Sequence, residues 1–141
     1  MKILIFRCLN NNLALNHNGF FTELETWKQA RKIRIFISKL TSGFPAEEKY
    51  RLTDQLVRCS RSIGNNIAEG HGRFHYQDNI RFCIMARGSL SETLDQIIVA
   101  FDEGYITKEI FKLFEQDHDY CLKLLNGYIQ FIKRKKNDET S

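Results

Sequence analysis

Between Trp27 and Ile132, apolar residues recur every three or four positions, and Pro45 is the only proline in the 141 residues. That spacing gathers apolar side chains on one face of a 3.6-residue helix. A chain with so little turn chemistry lacks the punctuation of a many-stranded sandwich. The hydrophobic share of 43% is enough to bury a core, and the length suits one domain.

The first predicted helix runs from Glu23 to Thr41, with Trp27, Ala30, Ile33, Ile37 and Leu40 on its apolar face and Gly43-Phe44-Pro45 ending it. The second runs from Ala46 to Glu69 along Leu52, Leu56, Cys59, Ile63 and Ile67, with Gly70 as the C′ residue. The third spans Gln77 to Glu103 on Ile80, Cys83, Leu90, Leu94, Ile97 and Phe101, and Gly104 stops it. Thr107 caps the fourth, with Ile106 and Phe111 in staple positions. This helix follows Ile110, Phe114, Cys121, Leu125, Tyr128 and Ile132 to Lys133-Arg134-Lys135-Lys136, charges that complement a C-terminal dipole. Short connections between long helices predict an all-α, antiparallel up-down-up-down four-helix bundle over residues 21–136. A poorly ordered N-terminal extension (1–20) and a polar tail (137–141) flank it.

The opening Met1-Lys2-Ile3-Leu4-Ile5-Phe6 is interrupted by Arg7 and followed by Asn10-Asn11-Asn12, which predicts a non-exported extension and not a signal peptide. No stretch reaches the roughly 20 apolar residues of a membrane span. Cys8, Cys59, Cys83 and Cys121 form no C-x-x-C pair and suit a reducing cytoplasm.

Net charge is +4, but it is split. Residues 1–73 carry 12 basic and 6 acidic side chains, residues 74–141 carry 9 and 11. The second helix shows Arg51, Arg58, Arg61 and Asn65 opposite its apolar line, with Asp54 among them, and Gln55, Ser62, Asn66 and Glu69 on the flank. The third carries Arg81, Gly88, Ser89, Glu92 and Gln96 well away from its apolar line. The two polar stripes fit a helix–helix contact, inside the bundle or between subunits; the plainer alternative is a solvated polar face. Arg51, Arg58, Arg61 and Arg73 are the candidate phosphate-binding residues, since the planar fork of arginine grips phosphate oxygens in pairs. The plainer alternative pairs Arg58 and Arg61 with carboxylates such as Asp54 and Glu92.

Catalytic chemistry finds no support. His71 and His75 sit beside Gly70 and Gly72, outside any zinc motif, so no metal site is expected. Cys59, Cys83 and Cys121 read as core residues. Asp117 and His118 interrupt the apolar line of the fourth helix and read as a polar pair with an Arg or Ser of another helix. No catalytic residue and no cofactor is assigned.

Ordered motifs then carry a resemblance. Phe44-Pro45-x-Glu47-x-x-Tyr50-x-Leu52-x-x-Gln55-Leu56-x-Arg58 is followed by Ser62-Ile63-x-x-Asn66-Ile67-Ala68-Glu69-Gly70. Arg81-Phe82, Ala86-Arg87-Gly88-Ser89-Leu90-x-Glu92 and Gly104-Tyr105-Ile106 come next, and Trp27 with Ala30 fits the opening of the first helix. From Phe21 to Ile132 the chain resembles the bacterial four-helix bundle proteins encoded in intervening sequences of 23S ribosomal RNA genes, also labelled the S23 ribosomal protein family. The resemblance implies an antiparallel bundle assembling as a homopentamer. A related branch, the accessory variability proteins of diversity-generating retroelements, has a basic pentameric barrel that binds nucleic acid and a reverse transcriptase. Cys59-Ser60-Arg61 departs from the small alanine-rich stretch of the pattern, and His75 stands where a serine often caps the third helix.

The expectation is a non-enzymatic, oligomeric bundle of the bacterial cytoplasm that binds RNA or DNA without sequence specificity. Gln55, Ser62, Asn66, Glu69, Arg81, Gly88, Ser89 and Glu92 would make the oligomer contact. The alternative is an adaptor docking a protein partner, a reverse transcriptase or ribosome-assembly factor, through the acidic region between Asp95 and Asp119; over Asp78–Asp119 nine acidic residues face four basic ones.

Overall fold

The computed structural model describes residues 20–141; the extension expected over 1–20, apart from Phe20, and Cys8 lie outside the described residues. Four α-helices follow one another: α1 (Glu25–Thr41), α2 (Leu52–Gly72), α3 (Tyr76–Asp102) and α4 (Lys108–Thr140), with 3-10 turns at Phe21–Glu23 and Ala46–Glu48. Both α1 and α3 pack against α2 and α4, so the helices go round a square in chain order. No strand is present among the described residues.

The apolar lines become the core, except that Phe101, expected on the line of α3, is 39% exposed. Ile33 and Ile37 of α1, Leu56, Ile63 and Ile67 of α2, Leu90 and Ile97 of α3, and Leu125 of α4 are fully buried, and Phe114 nearly so. Burying each such side chain stabilises the fold by roughly 1.5–3 kcal/mol before the entropy of ordering it is counted.

The ends differ from the expectation in three places. The second helix starts at Leu52, not Ala46, because the chain first makes a 3-10 turn after Pro45. Glu48 then does the capping. Its carboxylate accepts the Leu52 N–H at 3.1 Å and the Tyr105 hydroxyl at 3.1 Å, while the Tyr105 ring lies 5.6 Å from Phe44. One carboxylate thereby satisfies a free helix donor and ties the α1–α2 connection to the α3–α4 connection. Partial burial, together with the bond to Glu48, raises the Tyr105 pKa and keeps its proton available for donation.

Gly70 is not a C′ residue. It is buried within α2, where an added Cβ would fall 2.7 Å from the Phe82 Cβ and 3.2 Å from the Asn79 Cα. Close approach of α3 requires it. The helix ends at Gly72 with Arg73 as C-cap, and the C′ position falls to Phe74, which takes the left-handed conformation (φ 52°) usually left to glycine. Gly104 does stop α3 as expected, at φ 77°, and the Thr107 hydroxyl accepts the Ile110 N–H at 3.3 Å to start α4.

The third difference is at the C-terminus. α4 runs 33 residues, about 50 Å, so the polar tail forms its last turn and Lys133–Lys136 lie upstream of the dipole end they were expected to neutralise.

The two glycines of this packing predict opposite outcomes. Gly70→Ala should lower unfolding free energy by about 1–3 kcal/mol, because Phe82 or the α3 backbone must give way. Gly88→Ala, with open space around the new methyl, should raise it by roughly 0.5–1 kcal/mol. Urea titration followed by circular dichroism measures both.

Candidate nucleic-acid interface

The two polar stripes meet each other within one chain. The Ser62 and Ser89 hydroxyls are 2.9 Å apart, and Asn66 donates to the Ser62 carbonyl at 2.8 Å and to its hydroxyl at 3.0 Å. Nearer the start of α2, the Gln55 amide donates to the Glu92 carboxylate. Between these pairs the Thr93 hydroxyl, fully buried, donates to the Ser89 carbonyl at 2.8 Å and lies 3.3 Å from the Cys59 sulfur. Half-buried hydroxyls and amides need such partners.

Five of the eight residues expected at a subunit contact (Gln55, Ser62, Asn66, Ser89 and Glu92) are therefore engaged inside the bundle. Glu69 turns to Arg73 at 2.8 Å. Arg81 and Gly88 stay on the outer flank of α3, where Ile84, Met85, Ile98 and Val99 are also exposed. The polarity of the stripes by itself calls for no second copy.

With its apolar line in the core and this flank on α3, α2 presents its remaining side to α1 and to solvent. Trp27, Arg31 and Arg34 recur at helical spacing along α1 and face it. Arg31, Arg34 and Arg61 line one cavity of about 180 Å³, edged by Trp27 and Asn65 and floored by Gly64 and Ala68. Among the described residues no carboxylate pairs with any of these three guanidiniums. Three unneutralised forks in one concavity have the geometry and charge to accept an anion.

The four arginines expected from sequence do not form one patch. Arg51, at the start of α2, and Arg73, past its end, are separated by roughly 33 Å of helix. Arg58 lies 3.6 Å from Asp54 and is 77% exposed, a pairing worth little. Arg73 is paired to Glu69 and lies over the Phe82 ring at 5.2 Å; the hydrogen bond to Glu69 raises its pKa. Only Arg61 joins the groove, and Arg31 and Arg34 are the members sequence reasoning missed. Their i, i+3 spacing next to the apolar line was the available signal.

The other candidates resolve as structure. The Asp117 carboxylate pairs with Lys32 at 2.8 Å and Gln29 at 3.3 Å, not with an Arg or Ser. His118 is buried, with Nδ1 3.1 Å from Asp119. His75 lies 3.8 Å from Asp78, and among the described residues no group of three or more His, Cys, Asp or Glu is placed to hold a metal. Cys59, Cys83 and Cys121 are buried free thiols. Burial pushes Cys83 and Cys121 up to about 12 and also raises Cys59. Among the described residues, no helix is long and apolar enough to cross a membrane.

Comparison with known proteins agrees with this architecture. The family model described as 23S rRNA-intervening sequence protein matches residues 22–127. A crystal structure of a protein of unknown function from the S23 ribosomal protein family of Bacteroides thetaiotaomicron superposes with a TM-score of 0.69. It is 24% identical and the match covers 74% of this chain and 95% of that one, which shows a shared fold. No curated protein matches.

The raised thiols carry a prediction. At pH 8 a thiol with a pKa of about 12 is thiolate in about one molecule in ten thousand. Iodoacetamide should leave the Cys83 and Cys121 peptides unmodified in the native protein and alkylate both in urea, as read by mass spectrometry.

Proposed function

The chain belongs to the 23S rRNA-intervening sequence protein family, and on that footing we propose that it is a non-enzymatic, self-associating bundle holding nucleic-acid backbone in the groove between α1 and α2. The observation that carries this reading is the convergence of Arg31, Arg34 and Arg61 on one cavity without a carboxylate among the described residues. Guanidinium forks grip phosphate oxygens whatever the base sequence, so contact of this kind positions a strand without reading it. Self-association is supported by the exposed Ile84, Met85, Ile98 and Val99 on the outer flank of α3. Repetition of the groove around a ring, a homopentamer in this reading, multiplies a field that +4 per chain supplies only weakly. Buried thiols suit the reducing bacterial cytoplasm. Among the described residues, the burial of Cys59, Cys83, Cys121 and His118 favours a binding role over catalysis.

Sedimentation of the full chain with a fluorescent single-stranded 20-mer tests the proposal in one experiment. The protein should sediment near five times 16.6 kDa with the oligonucleotide bound. Three phosphate contacts imply about a 20-fold loss of affinity between 50 and 200 mM salt. Arg61→Glu should abolish binding, whereas Arg58→Glu, which loses an arginine already facing Asp54, should weaken it less. Binding of a protein partner unaffected by either change, with no oligonucleotide bound, would favour the acidic-side adaptor instead.

A further inference from the structure

At the end of the bundle where α2 passes into α3, a cavity of about 650 Å³ opens between that corner and the last turns of α4. Phe74 stands at its mouth. It is 91% exposed, and it is the only non-glycine among the described residues in the left-handed region, at φ 52°. That conformation costs a bulky residue free energy, and a ring left in water recovers none of it by burial. Folding therefore does not account for Phe74, whereas a ligand that covers the ring would.

The opposite wall is also aromatic. Phe131, 48% exposed, stacks with Tyr128 at 6.4 Å and an interplanar angle of 15°, and the Lys135 ammonium lies 5.8 Å from the Phe131 ring centre. Lys136 donates to Gln77 at 2.6 Å, holding α4 to the start of α3. Glu139, the carboxylate in the lining, accepts the Tyr76 hydroxyl at 2.7 Å. Lys136 and Glu139 place opposite charges in the lining, and the exposed ring faces suit an uncharged planar group.

We propose that this cavity seats an unpaired base of a single-stranded nucleic acid between Phe74 and Phe131, a reading that rests on the arginine groove holding the same strand's phosphates. The two sites are neighbours on α2. Ala68 lines the groove and His71 lines the cavity, on one flank of α2 and about 4.5 Å apart along its axis. Stacking accepts any base, because every base has a π-face, and it excludes a duplex, whose bases are already stacked.

The test is fluorescence anisotropy of the full chain with labelled U12, dT12 and a 12-base-pair duplex. Phe74→Gly removes the ring and suits the backbone, so thermal melting should hold or rise. Its affinity for U12 and dT12 should fall about 5- to 100-fold, with duplex affinity and salt slope unchanged. Phe74→Trp should retain single-strand binding. If Arg61→Glu abolishes binding while Phe74→Gly leaves U12 and dT12 affinity intact, the stacking site is overturned and the groove stands. If the unaltered protein binds none of the three probes, both readings fall.

Discussion

The close approach of α2 and α3 sets the rest of the molecule. Gly70 admits Phe82 and Asn79 to within contact of the α2 backbone, and Ser62–Ser89 and Gln55–Glu92 hold the two helices together farther along. A helix has only so many faces. Once its apolar line is in the core and one flank is locked to α3, the direction of every other side chain on α2 follows. Arg61 and Asn65 are turned toward α1, where Arg31 and Arg34 meet them.

Charge is therefore organised by packing more than by composition. The first 73 residues carry twice as many basic as acidic side chains, yet Arg58, Arg73, Lys28 and Lys32 each have a carboxylate nearby. The groove arginines stand apart because α1 and α2 place no acidic residue beside them among the described residues. The polar seam, by contrast, is satisfied within the chain, and each neutral bond in it contributes about 1 kcal/mol net.

Periodicity within a helix was legible from sequence, and relations between helices mostly were not. Leu52, Leu56, Cys59, Ile63 and Ile67 share one face by spacing alone, and all five are buried. Gly104 and Thr107 act locally, and both behave as their residue types dictate. Gly70 was misread because a glycine near a helix end serves as a cap or as a packing site, and only the position of Phe82 decides which. The role of Glu48 depends on Tyr105, 57 positions away, and that of Asp117 on Lys32. Arg31 and Arg34 gained their significance from Arg61, through a helix rotation that no single-helix pattern contains.

In the proposed complex one strand runs along α2 from the arginine groove toward the Phe74 corner. Photo-crosslinking a 4-thiouridine-substituted single-stranded RNA to the full chain, with the attachment sites mapped by peptide mass spectrometry, addresses that path most directly. Adducts should concentrate on peptides holding Trp27, Phe74 and Phe131. Adducts confined to the acidic α3–α4 end around Asp102 and Glu115 would contradict it.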